Sequence, residues 1–159
     1  MKKKDIKIIS YLRQNGRIPL KEISRKTKIP MSTVHERIKK ITEEKIIKPT
    51  TTIDYEKIGY SARAQIMLAA EEKEKLTEHL KKHPNVNTLY RINNGWNIMA
   101  ECIFKDMNQL EDFIDKLESL FHIKQKQVHY IIAELQKEKF LTQPEIAEQM
   151  INPAPTKVG

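Results

Sequence analysis

The sequence predicts an α+β protein in two parts: an N-terminal winged helix-turn-helix, then a C-terminal βαββαβ ferredoxin-like sandwich. Three observations predict it. Apolar residues recur at helical spacing in three runs between residues 5 and 41, and turn-forming residues separate the runs. From residue 61 onward the pattern changes to strands and helices in the order β-α-β-β-α-β. The charge is segregated as well: residues 1–59 hold 16 Lys/Arg against 7 Asp/Glu, a net of +9, whereas residues 60–159 hold 13 against 14, a net of −1. Positive charge gathered on a small helical module is the footprint of a phosphate-backbone binder, because each neutralised phosphate releases condensed counterions.

The first helix is expected over residues 5–14, with Asp5 as its N-cap, Ile6, Ile9 and Leu12 as its buried stripe, and Asn15-Gly16 as its stop. Pro19 suits the first turn of the second helix, whose Leu20 and Ile23 face inward until Lys28-Ile29-Pro30 breaks the pattern. From Met31 the third helix places Val34, Ile38 and Ile41 on one face. Thr50-Thr51-Thr52-Ile53 is β-rich and could form a wing beside the helices.

Two short helices joined by a tight turn, the second with a free polar face, make the arrangement that inserts a helix into the major groove. Ser32, Thr33, His35, Glu36 and Lys39 carry donors and acceptors suited to base edges. Arg17, Lys21, Arg25, Lys26, Lys28, Arg37 and Lys40 are placed to hold phosphates of double-stranded DNA. Glu36 has a plainer reading too, as a helical-spacing partner of Lys39 or Lys40.

In the second part, residues 61–69 read as a strand and residues 72–83 as a charged helix with Leu76 and Leu80 inside. Residues 86–92 and 96–104 read as hairpin strands around Asn93-Asn94-Gly95. Asp106 and Gln109 form a capping box for a helix whose inner stripe is Leu110, Phe113, Ile114 and Leu117, and residues 123–133 close the unit as a strand. Two helices cover only one face of such a sheet, so the other is expected to associate with a second copy. Residues 134–159 extend past the domain. Thr142 and Glu145 suggest a capped helix over 143–150, followed by a loose Asn152-Pro153-Ala154-Pro155 tail, and the extension could pack on a neighbouring subunit.

Other function classes find little support. The apolar runs are short and interrupted by charges, no signal-peptide core follows the basic start, and the single Cys102 fits a reducing compartment as a buried strand residue. The protein therefore reads as cytoplasmic, with no membrane role. His79 and His83 have metal-compatible spacing, but nothing else accompanies them, so they read as exposed surface histidines. No phosphate loop, nucleophile elbow or dinucleotide fingerprint is present, and neither a cofactor nor a metal is expected.

Asp5-Ile6-Lys7-Ile8-Ile9, Asn15-Gly16-Arg17-Ile18, Val34-His35-Glu36-Arg37-Ile38, Ile46-Ile47-Lys48 and the run Ile53 to Tyr60 together resemble the Lrp/AsnC family of bacterial and archaeal transcription regulators, over residues 4–133. The resemblance implies a winged helix-turn-helix at 1–50, a hinge strand or linker at 51–60 and a ligand-sensing, oligomerising domain at 61–133. It also implies a sequence-specific regulator, not an enzyme, that binds pseudo-palindromic promoter DNA as a homodimer, tetramer or octamer and answers a small effector such as an amino acid. Arg37 takes the family's arginine position, with a backbone-contact role. Pro30-Met31 departs from the family's polar cap and proline, and Lys45 stands where a left-handed glycine is common. The effector or assembly loop, Asn94, Gly95, Trp96 and Asn97, has its glycine displaced by one. The enzymatic alternative is a sirohaem decarboxylase-like subunit on the same fold, which would draw on Tyr90, Arg91, Trp96, Asn97, His122, His129 and Tyr130.

Overall fold

The computed structural model describes residues 1–153, so Ala154 and Pro155 of the expected tail lie outside the described residues. The chain divides into two compact units, Met1–Thr52 with the segment from Gln136 onward, and Ile53–Leu135. Counted over these units the charge separates further: 18 Lys/Arg against 8 Asp/Glu in the first, a net of +10, and 11 against 13 in the second, a net of −2.

Three helices build the N-terminal part of the first unit: α1 (Lys3–Gln14), α2 (Leu20–Thr27) and α3 (Met31–Glu43). Ile8, Ile23 and Val34 of these helices meet Ile18 and Ile29 of the connections in one core, with Ile38 packed at its edge. The turn between α2 and α3 is fixed locally. Lys28 takes a left-handed φ of 57°, the Ser24 hydroxyl donates to the Ile29 carbonyl at 2.6 Å, and Thr27 Oγ1 accepts the Ile29 N–H at 3.4 Å. At the far end of α3, Lys45 has φ 56° and the Ile46 N–H returns to the Ile41 carbonyl at 2.9 Å, the wrap that terminates a helix through one left-handed residue.

Three expectations change here. Asp5 is not the N-cap: α1 starts at Lys3, and the Asp5 carboxylate sits one turn in, reaching back to the Lys2 N–H at 3.3 Å. No strand forms at Thr50–Ile53 or elsewhere in 51–60, where the only regular piece is a 3₁₀ turn at Glu56–Ile58. A strand needs a partner edge, and nothing in this segment offers one. The third change concerns how the helix of the extension begins.

Within the first unit, α6 (Pro144–Ile151) packs on α1. Arg13 grips the strap before it, with Nη1 2.6 Å from Glu138 Oε2, Nη2 donating to the Glu138 carbonyl at 2.9 Å and Nε donating to the Phe140 carbonyl at 3.1 Å. Glu148 of α6 lies 2.9 Å from Lys3 and 3.6 Å from Lys7. The Thr142 capping box does not form, because its hydroxyl donates to the Lys139 carbonyl and Pro144 opens the helix instead.

The second unit is a four-stranded antiparallel sheet in the order β2-β3-β1-β4, made of β1 (Ala62–Ala70), β2 (Val86–Arg91), β3 (Ile98–Phe104) and β4 (Ile123–Tyr130). Helices α4 (Lys73–Lys82) and α5 (Met107–Leu120) cover one face. Period-two alternation sends Ala62, Ala64, Ile66, Leu68, Ile98, Ala100 and Cys102 into that core against Leu76, Leu80, Leu110, Phe113, Ile114 and Leu117. Asp106 Oδ1 accepts the Gln109 N–H at 2.9 Å and starts α5 where its cap was expected. Burial, with Glu101 beside it, pushes the Cys102 thiol up to about 12, as fits a packed strand residue. His79 and His83 are half-buried, not exposed: His79 stacks edge-on against Phe121 and His83 lies 4.6 Å from Phe113 between ring centres. Among the described residues no helix is long and apolar enough to cross a membrane.

Candidate functional site

Helix α3 buries Val34 and Ile41 and presents Ser32, His35, Glu36, Lys39 and Lys40 outward, with Thr33 half-buried beside them. Lys39 and Lys40 pair loosely with Glu43 and Glu44 one turn on, at 3.9 and 3.5 Å, contacts worth a few tenths of a kcal/mol and readily exchanged for phosphate. Glu36 takes neither lysine and has no ion pair among the described residues. Around α3, Arg17, Lys21, Arg25 and Lys28 are exposed, while Lys26 is held by Glu22 at 2.9 Å and lies over the Tyr11 ring. Arg37 is placed differently. Its Nε lies 2.7 Å from Asp5 Oδ1 and its Nη2 donates to Asp5 Oδ2 at 3.1 Å, so the fork expected on a phosphate is turned toward α1.

The second unit carries a cleft of ≈ 680 Å³ between α4 and the β2–β3 hairpin. Asn94 and Gly95 turn the hairpin with φ of 66° and 87°, the pair of left-handed residues that a two-residue turn needs, and both are exposed at its tip. Trp96 and Asn97 reach the cleft, Trp96 as one wall. Asn97 is already committed: its Oδ1 accepts the Ala70 N–H at 2.7 Å and its own N–H donates to the Leu68 carbonyl at 2.9 Å, which pins the hairpin to the end of β1. Opposite stand Lys73, Thr77 and Lys81 of α4, with Tyr90 and Arg91 of β2. The hydrogen bond from Lys81 holds Glu78 below the usual carboxylate range, whereas Arg91 is exposed and has no ion pair among the described residues. The α4 residues escaped the sequence reading. Their spacing of four, beside a hairpin with an aromatic wall, was the signal available.

The residues of the enzymatic alternative are not brought together. Tyr90, Arg91, Trp96 and Asn97 belong to the β2–β3 hairpin at one edge of the sheet, while His122, His129 and Tyr130 lie in or beside β4 at the other edge. His129 and Tyr130 are neighbours in β4 and so point to opposite faces, and the Tyr130 hydroxyl donates to Glu111 of α5.

Comparison with known proteins agrees with this layout. Residues 1–48 match the winged helix-turn-helix DNA-binding family and residues 61–140 match the Lrp/AsnC ligand binding domain. An HTH-type transcriptional regulator of Pyrococcus horikoshii, FL11, is 34% identical over 119 residues, covering 73% of this chain and 79% of its own length. Its Pyrococcus furiosus counterpart is 32% identical with the same coverage. Among solved structures, Bacillus subtilis LrpC superposes with a TM-score of 0.76 at 26% identity, covering 86% of this chain and 98% of that one. A Neisseria meningitidis transcriptional regulator in complex with L-Met gives a TM-score of 0.79 at 21% identity, covering 86% and 93%, and so shares the fold. Basic helix-turn-helix, sensor sheet and these likenesses converge: the chain belongs to the Lrp/AsnC family, as a helix-turn-helix transcriptional regulator with a ligand-binding domain.

Proposed function

We propose that this regulator acts in the cytoplasm as a homodimer or larger assembly on pseudo-palindromic promoter DNA, and that α3 enters the major groove of each half-site. The observation that carries the reading is the exposed polar edge of α3 on a unit of net charge +10. Ser32, Thr33, His35, Glu36 and Lys39 read bases; Arg17, Lys21, Arg25, Lys28 and Lys40 hold phosphates; Arg37 orients α3 through Asp5. Self-association uses the sheet face that α4 and α5 leave open, since two copies related by a two-fold axis match the symmetry of two half-sites.

The cleft beside the hairpin is the effector site in this reading. Arg91 supplies a cation for a carboxylate, Trp96 an apolar wall, and Asn94 and Gly95 the open backbone through which assembly is sensed. A small amino acid has this chemistry, and the Neisseria relative was crystallised with L-Met. Footprinting on DNA upstream of the protein's own gene, with salt titration, tests the reading. Paired protected segments one helical turn apart, lost as salt rises, support it; diffuse protection without half-sites overturns it.

A further inference from the structure

Two chain connections join the DNA-binding unit to the sensor unit, one entering at Ile53 and one leaving at Leu135. One side chain holds both. The Arg63 guanidinium carbon lies 5.1 Å from the ring centre of Tyr55, on the entering connection. Its Nη1 donates at 3.2 Å to Oε2 of Glu134, on the leaving connection. The backbone repeats this second tie, because the Ile131 N–H donates to the Arg63 carbonyl at 2.8 Å.

The third partner faces the sensor. Arg63 Nη2 donates to Glu101 Oε1 at 2.9 Å, and Glu101 lies on β3. The other carboxylate oxygen, Oε2, accepts from Thr88 Oγ1 at 3.0 Å and Asn87 Nδ2 at 2.8 Å, both on β2. Those two strands are the hairpin whose loop walls the cleft. Arg63 and Glu101 are 17% and 19% exposed, so solvent screens this contact far less than a surface pair. Two donors aimed at two carboxylates, with a flat face on an aromatic ring, is geometry a lysine ammonium cannot reproduce.

We propose that Arg63 is the positioning residue that ties the effector hairpin to both connections at once, so that a shift of β2 and β3 reaches the DNA-binding unit through two chain segments instead of one. The idea rests on the reading above, in which the hairpin senses ligand or assembly and two copies occupy two half-sites. Its test uses full-length Arg63→Lys and Arg63→Ala proteins. Hydrogen exchange followed by mass spectrometry compares residues 53–60 and 131–135 with β3. Amides in both connections should exchange about tenfold faster, the equivalent of one charge-assisted hydrogen bond, while β3 stays protected. Should Arg63→Ala fail to fold, Tyr55→Leu and Glu134→Gln each loosen only their own connection.

A second readout separates positioning from mere stability. On duplexes selected by the wild-type protein from a random pool, then rebuilt with the half-sites moved apart in single base-pair steps, Arg63→Lys should accept a wider range of spacings. Unchanged exchange in both connections, faster exchange in only one, or a spacing preference as sharp as wild type would overturn the proposal. A wild-type protein indifferent to spacing would instead count against two-site binding, and exchange alone would then decide the role of Arg63.

Discussion

Arg37, on the helix proposed to enter the groove, is clasped by Asp5 near the start of α1, with Nε 2.7 Å from Oδ1 and Nη2 3.1 Å from Oδ2. The two residues stand 32 apart in the chain, and Asp5 is 7% exposed. Removing Arg37 leaves a carboxylate in a site where water barely reaches it. Arg37→Ala should therefore cost about 2 kcal/mol of stability, less than the roughly 3–5 expected of a fully buried pair because the arginine itself is partly exposed. Denaturant melts check the loss. The salt dependence of DNA binding should keep its wild-type slope, whereas Arg25→Ala should reduce that slope by about 1, as one lost phosphate contact does.

Lys45 offers a gain. It ends α3 with φ 56°, a conformation in which a side chain clashes with its own backbone. Lys45→Gly should stabilise the protein by about 1 kcal/mol, read as a higher denaturation midpoint with unchanged m-value. No gain would mean that the lysine side chain relieves the strain itself.

Glu101 makes stability depend on pH. Burial alone would raise its carboxyl, but hydrogen bonds from Arg63, Asn87 and Thr88 outweigh that and hold it below the usual carboxylate range. The folded protein thus binds this proton less readily than the unfolded chain does. The stability it contributes is complete above the ordinary carboxylate range and is lost as pH falls through the lowered value. Glu101→Gln should flatten this part of the acid limb in melts taken across that range; an unaltered limb would remove Glu101 from it.

Trp96 tests the hairpin's part in assembly. It is half-buried, and the Asn94–Gly95 turn leaves its flank open. Trp96→Ala should shift sedimentation profiles toward dimers while the circular dichroism spectrum stays native, with Gly95→Arg acting in the same direction. Unchanged assembly in both variants would take this loop out of the mechanism.

How much of this was legible in the sequence depends on the range of the interaction. The stripes Val34–Ile41 and Leu110–Leu117 announced their helices, because periodicity encodes which face is buried, and residues 61–69 and 96–104 read as the strands that became β1 and β3. Asn94-Gly95 announced its turn for an equally local reason. Asp5 was misread as a cap because its partner, Arg37, lies on another helix. Arg13 gave no sign that it would grip Glu138 and Phe140, 125 and 127 residues away, and so the extension's return to α1 stayed hidden. The wing had β-rich composition but no partner strand. Nothing in the sequence singled out Arg63, since only the fold brings Tyr55, Glu101 and Glu134 around it.

The central claim is that α3 reads DNA sequence while the surrounding cations supply affinity. It is tested most directly by measuring, at several salt concentrations, how full-length wild type and a Ser32→Ala, Thr33→Ala, His35→Ala variant bind a selected duplex and a scrambled one. The account predicts that wild type prefers the selected duplex and that both affinities fall steeply with salt. The variant should bind both duplexes about equally at an unchanged salt slope, losing roughly 1–3 kcal/mol of discrimination for each good base contact removed. A variant that still discriminates like wild type, or a wild type whose binding ignores salt, would contradict it.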